Sequence, residues 1–396
     1  SKLKFSSNPL TISAQLFVTN LGRPLVLRLV STLWTEIDMA PTGRRQFLGG
    51  LLAAGLIPKP TWADVGSPVF LSAAALPNGS YVLCGIDAEL QLRFQIPLPA
   101  RGHAAAAHPS RAEAVAFARR PGTFAIVIDC ITGQESAKLE SPEGRHFYGH
   151  GTFSSDGNLL FTTENDYEAG RGRVGVWDTQ NGYTRIDEWD SGGVGPHDIK
   201  RLPGTDTLVV ANGGIDTNPD TGRAKLNIPT MAPNLAYIEE GAVVETAMLP
   251  QDMHKNSIRH LAISQNGDVA FGMQWQGDQT PQALVGTHQR GRAISLMTAP
   301  ADQVRHLDSY IGSVAFSEDG GTVAVTSPRG GFVQMYDASS GMFMQDSALS
   351  DVSGIAPIGD GFVATAGTGE LRSIARREGN FSNQMGVRWD NHLVAI

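Results

Sequence analysis

The chain of 396 residues has little of what marks several large protein classes. Its two cysteines, Cys84 and Cys130, allow at most one disulfide, so neither a disulfide framework nor a cysteine-based zinc site holds it together. Charged residues make up only 18% and the formal net charge is -8, which leaves no basic excess to displace counterions from DNA or RNA; nucleic acid is excluded as the main partner. No apolar stretch after the N-terminal region is long enough to anchor the chain in a bilayer. Aromatic residues are scarce at 7%. What is plentiful is glycine, 45 residues, with 22 prolines, too many for long helices. With 41% hydrophobic residues, this composition describes a globular chain of many short strands and tight turns.

Near the start, Thr42-Gly43-Arg44-Arg45-Gln46-Phe47-Leu48 sets an arginine pair before a short apolar run, Leu48 to Ile57, and the small-residue boundary Thr61-Trp62-Ala63 follows. The order resembles a twin-arginine export signal over residues 39–63, with cleavage expected after Ala63. The glycine-broken run is too short to span a membrane, and the competing reading is a buried N-terminal helix. Residues 1–38 read as a non-native extension upstream of a start at Met39, which leaves 64–396 as a single domain. The resemblance implies a periplasmic protein exported already folded, a route that permits a cofactor to be inserted before export.

The chain also repeats itself. A polar or small residue, an apolar pair, Ser-x-Asp-Gly, an apolar strand and then Gly-x-Val-x-x-Tyr/Trp-Asp recur. The clearest copies run from His150 through Asp156-Gly157 to Trp177-Asp178 and from Gly312 through Asp319-Gly320 to Tyr336-Asp337. Asp-Gly supplies the positive φ of a hairpin and β-branched runs supply strands, so each phrase predicts a four-stranded antiparallel meander. One such sheet cannot bury both its faces, and stacking at this spacing is that of propeller blades. Starts near 67, 103, 150, 197, 260, 312 and 353 predict an all-β, seven-bladed β-propeller of the WD40 or lactonase kind. Strand exchange between the termini would shift the count to six or eight.

In a propeller, residues repeated at blade starts converge on the axis. His150, His197 and His260 hold that position, with Asp198 and Arg259 beside them, and His103 or His108 is the counterpart in the second blade. Imidazoles around one axis suit iron, copper or zinc; equally, each could hydrogen-bond a neighbouring blade. Glu164-Asn165-Asp166 is expected on a loop at one mouth, where it would bind a cation or stand solvated. Asn212 opens a long excursion to Pro233, a place where function often resides. Arg259 and Gln274 could ring an anionic ligand or serve as turn polarity. The spacing around Asp216, Asn218 and Asp220 fails as an EF-hand, since glycine comes late at Gly222 and Asn227 stands at the twelfth position. Gly170-Arg-Gly-Arg-Val-Gly175 precedes a strand and opens no helix, so it is no dinucleotide site. Cys84 and Cys130 sit in strand-like runs and read as buried thiols, an inter-blade disulfide being the alternative.

The leader, His150-Gly151, Thr162-Thr-Glu-Asn-Asp166, Gly193-Val-Gly-Pro-His-Asp198, Ala211-Asn-Gly-Gly-Ile215, Ser257-Ile-Arg-His260 and Gln274-Trp-Gln-Gly-Asp278 together resemble the bacterial domain-of-unknown-function family fifteen-thirteen, twin-arginine-exported propellers. The resemblance covers nearly all of the chain after the leader. It implies an association with imelysin-type periplasmic iron-uptake proteins and a role in iron acquisition, and it carries no catalytic residues with it. The expected function is binding of a metal ion, iron or copper, or of a small metal complex, with a periplasmic iron-uptake partner. The alternatives are a metal-dependent enzyme at the same mouth, lactonase-like or oxidoreductase, and a ligand-free docking scaffold.

Overall fold

The computed structural model describes residues 59–118, 124–222, 224–375 and 382–396. The upstream extension and the export signal as far as residue 58 lie outside the described residues. From Pro60 to Ile396 the chain forms one compact unit of seven antiparallel sheets, six of four strands and one of five. The sheets are the blades of a propeller. Their innermost strands each contact the innermost strands of the blades on either side and so line the axis.

The repeated phrase folds for local reasons. In the third blade the first two strands, Arg145–Phe153 and Leu159–Asp166, are joined by a turn in which Gly157 has φ +74. Ser154 Oγ donates to Asp156 Oδ1 at 2.7 Å and accepts from the Leu159 amide at 2.9 Å, which closes the turn. Ser317, Asp319 and Thr322 repeat these bonds in the sixth blade. The Trp-Asp or Tyr-Asp at the end of each phrase ends the third strand: Asp178 Oδ1 accepts from the Gln180 amide and Asp337 Oδ1 from the Ser340 amide, both turning the chain into the outermost strand.

The core lies between blades. Second strands such as Thr322–Ser327 and Leu208–Asn212 are buried along their whole length, as expected of strands covered on both faces. Between the second and third blades Phe117 and Val127 pack with Phe147, Leu160 and Trp177; each such side chain contributes about 1.5–3 kcal/mol when fully buried. A short 3-10 turn, Trp62–Val65, precedes the first strand, and Trp62 packs on the core of the first two blades while its Nε1 donates to the His108 carbonyl at 2.9 Å.

The ring closes by exchange between the ends of the domain. In the first blade, strand Phe70–Ala75 is second from the axis. The innermost place belongs to two short C-terminal strands, Arg388–Trp389 and Val394–Ala395, pairing Ala74 with Trp389 and Phe70 with Ala395. The start predicted near 67 therefore marks the second strand of its blade, and the count remains seven.

Candidate metal centre on the propeller axis

Each histidine reaches the axis from an irregularity in an innermost strand. The pairing register slips between Gly102 and Ala105 around His103, between Phe147 and Gly151 around His150, between Pro196 and Asp198 around His197, and between Ile258 and His260. Bulges of this kind re-aim a side chain; they leave His103, His150 and His197 outside the ladder, whereas in the fifth blade Arg259 is the unpaired residue and His260 is paired with Gly272. His392 sits in the gap between the two C-terminal strands, where Ser72 Oγ donates to its carbonyl at 2.9 Å.

The result is a cluster of five imidazoles. Ring centroids lie 5.0 Å apart for His103 and His150, 5.1 Å for His150 and His197, 4.8 Å for His197 and His260, 5.0 Å for His260 and His392, and 4.9 Å for His392 and His103. Two trios offer one donor atom per residue with all three atoms within 4.8 Å of one another: His103, His150 and His197, and the buried His150, His260 and His392. His150 belongs to both.

Hydrogen bonds fix which nitrogens are available. His150 Nδ1 is 3.2 Å from Asp198 Oδ1, and His197 Nδ1 is 3.1 Å from the Arg259 carbonyl. Asp198 in turn accepts from the Leu261 amide at 2.9 Å. Carboxylate-to-imidazole pairing of this form sets the tautomer and turns the other ring nitrogen outward as a donor to metal. His150 Nε2, His260 Nδ1 and His392 Nε2 are buried with no hydrogen-bond partner among the described residues.

Burial, followed by the neighbouring positive charges, holds His197 well below the ordinary imidazole pKa; His260 falls to about 3 for the same first reason, and His392 is likewise well below its usual range. Burial opposes ionisation of Asp198, yet Lys200 and His150 hold its carboxyl well below the usual carboxylate range. At neutral pH His197, His260 and His392 thus present uncharged imidazoles beside one carboxylate, the state metal binding requires.

Cavities adjoin both ends of the cluster. One, about 290 Å³, is lined by residues at or before the bulges, including His103, His197 and Arg259, together with Gln274 and Lys225. The other, about 320 Å³, is lined by residues from the histidines onward, including His150, Asp198, Lys200, His260 and His392.

Of the residues singled out from sequence, His150, His197, His260, Asp198, Arg259 and Gln274 come together here. His103 is the counterpart in the second blade; His108 is instead a turn residue, its Nδ1 accepting from the Ser110 and Arg111 amides. The expected acidic loop is corrected: Glu164, Asn165 and Asp166 are buried inside strand Leu159–Asp166. Arg185 pairs with Glu164 at 2.6 Å and Arg145 with Asp166 at 2.8 Å, while Asn165 Nδ2 donates to the Thr217 carbonyl. Asn212 is also buried, clamped to Ser191 and Asn234 at the head of the excursion.

Sequence reasoning missed His392. A signal was present, since His392-Leu393-Val394 echoes His260-Leu261-Ala262, but its blade's phrase is divided between the two ends of the domain.

No curated protein matches the chain in sequence. Among solved structures, "Kuenenia stuttgartiensis Hydrazine Synthase" superposes with a TM-score of 0.56 at 13% identity, covering 81% of this chain and 96% of that one. A chain of "Crystal Structure of Mitotic Checkpoint Complex" gives 0.52 at 12% identity, covering 71% and 78%. At such identities the likeness shows the fold alone. Family membership is fixed by sequence instead: residues 96–396 match the family described as "Protein of unknown function (DUF1513)", and the chain belongs to it.

Proposed function

We propose that this chain is a metal-binding propeller that holds one transition-metal ion on its axis through His150, His260 and His392. One observation carries the reading: three buried imidazole nitrogens in that trio have no hydrogen-bond partner among the described residues. A buried polar atom left unpaired costs about 1–3 kcal/mol, and an ion shared by the trio would account for all three. All-imidazole coordination suits copper, zinc, iron and nickel better than magnesium or calcium. Asp198 orients His150 for the purpose. Three protein ligands leave a coordination position for a further ligand.

The arginine pair at Arg44 and Arg45 supports a periplasmic setting reached in the folded state. The resemblance to exported propellers associated with iron-uptake proteins supports iron handling, with iron or copper as the ion and a periplasmic iron-uptake protein as the partner. The test is titration of the metal-free chain with Fe(II), Cu(II) and Zn(II), followed by calorimetry and elemental analysis. One equivalent is expected for at least one ion, lost in His260→Ala and His392→Ala. Substoichiometric uptake of all three, or full uptake by the double variant, overturns the proposal.

A further inference from the structure

We propose that the 290 Å³ cavity on the His103 side is an anion site that takes a small oxyanion of two or more negative charges, of the carboxylate or phosphate class. Lys225, Arg259 and Arg329 wall it, and no carboxylate is among the described residues lining it. In a chain with a net charge of -8, a cation-only lining is made by placement and not by composition. The three charges come from separate blades. Lys225 rides on the excursion within the fourth, Arg259 sits in the innermost strand of the fifth beside His260, and Arg329 lies in the turn before Phe332–Asp337 of the sixth.

Two of the cations are held in place by neutral groups. Lys225 Nζ donates to Gln276 Oε1, and the Arg329 guanidinium lies 4.4 Å from the centre of the Tyr310 ring. Such partners position a charge without cancelling it. Burial, then the nearby guanidinium charges of Arg259 and Arg329, lowers the Lys225 pKa below its ordinary value; the second of these causes is like-charge repulsion that a bound anion would relieve. Trp275 adds a donor, since its Nε1 is buried without an acceptor among the described residues and the ring lines the same cavity. Planar guanidinium forks match carboxylate and phosphate oxygens two at a time. His103 and His197 line the cavity too, so the anion would lie next to the imidazole cluster. The anion site does not depend on the metal reading, and its test therefore uses metal-free protein.

Calorimetric titration of the metal-free chain at low ionic strength with citrate, oxalate and inorganic phosphate should give saturable one-to-one binding of at least one of them. Preference for the two carboxylates or for phosphate assigns the class. In Lys225→Gln/Arg329→Gln the dissociation constant should rise at least tenfold with an unchanged thermal melt, because both side chains are exposed. Arg259→Gln should weaken binding as well. Absence of saturable binding to all three probes, or equal affinity in the double variant, overturns the proposal.

Discussion

Asp198 and the Arg259 carbonyl do the same thing for two imidazoles: each takes the Nδ1 side of a ring and leaves Nε2 as the remaining nitrogen. Loss of such an orienting carboxylate typically costs 10- to 100-fold in metal affinity, so Asp198→Asn should weaken metal binding by about that factor while one equivalent still binds at saturation; calorimetry checks both. The same burial sets a pH dependence in the metal-free protein. The folded pKa values of His197, His260 and His392 lie below the unfolded value near 6.5. The unfolded chain therefore takes up protons that the folded chain refuses, and stability falls as pH drops below about 6.5. Three groups at roughly 1.4 kcal/mol per pH unit each give a limiting slope of roughly 4 kcal/mol per unit. Denaturant midpoints of metal-free protein at pH 7.5 and 5.5 should differ accordingly; equal midpoints would contradict the burial argument. Cys84 and Cys130 are both free, their thiols pushed up to about 12 by burial. Neither should react with a thiol reagent at pH 8 until the protein is denatured, when both should.

At the level of strands and turns, the sequence was most legible where one residue type does one local job. Asp156-Gly157 and Asp319-Gly320 mark hairpins because only a few residues accept a positive φ, and their serine partners close the turn wherever the phrase recurs. Glu164-Asn165-Asp166 misled for an equally physical reason. Three polar residues in a row suggest a loop, but Arg185 pairs with Glu164 and Arg145 with Asp166 from other strands of the same sheet, so the charges are compensated inside it. The turn at Trp62–Val65 carries its own prediction. A chain begun at Asp64 loses the Trp62 side chain and its bond to the His108 carbonyl, and should be less stable than one begun at Pro60 by about 1–3 kcal/mol. Chemical denaturation of the two chains measures the difference.

Across the whole molecule, the blade count could be read from repetition alone, and three of the five histidines with it. His392 escaped because closure joins residues more than 300 positions apart, and no local pattern reports such a pairing. Removing residues 388–396 takes away the innermost strands of the first blade together with buried Trp389 and Leu393. Those two side chains alone account for roughly 3–6 kcal/mol, comparable to the net stability of many domains. The shortened chain should give little soluble protein and no cooperative melt; a normal melt would show that the seam is dispensable.

The seam also changes what an axial ion would mean mechanically. Its ligands come from the third, fifth and first blades, and the last of these arrives on the piece of chain that shuts the circle. An ion seated there is a clasp drawn across the opening, tightest when the circle is whole. A chain lacking that last segment offers an open arc of four imidazoles at most, so loading and circularisation would report on each other.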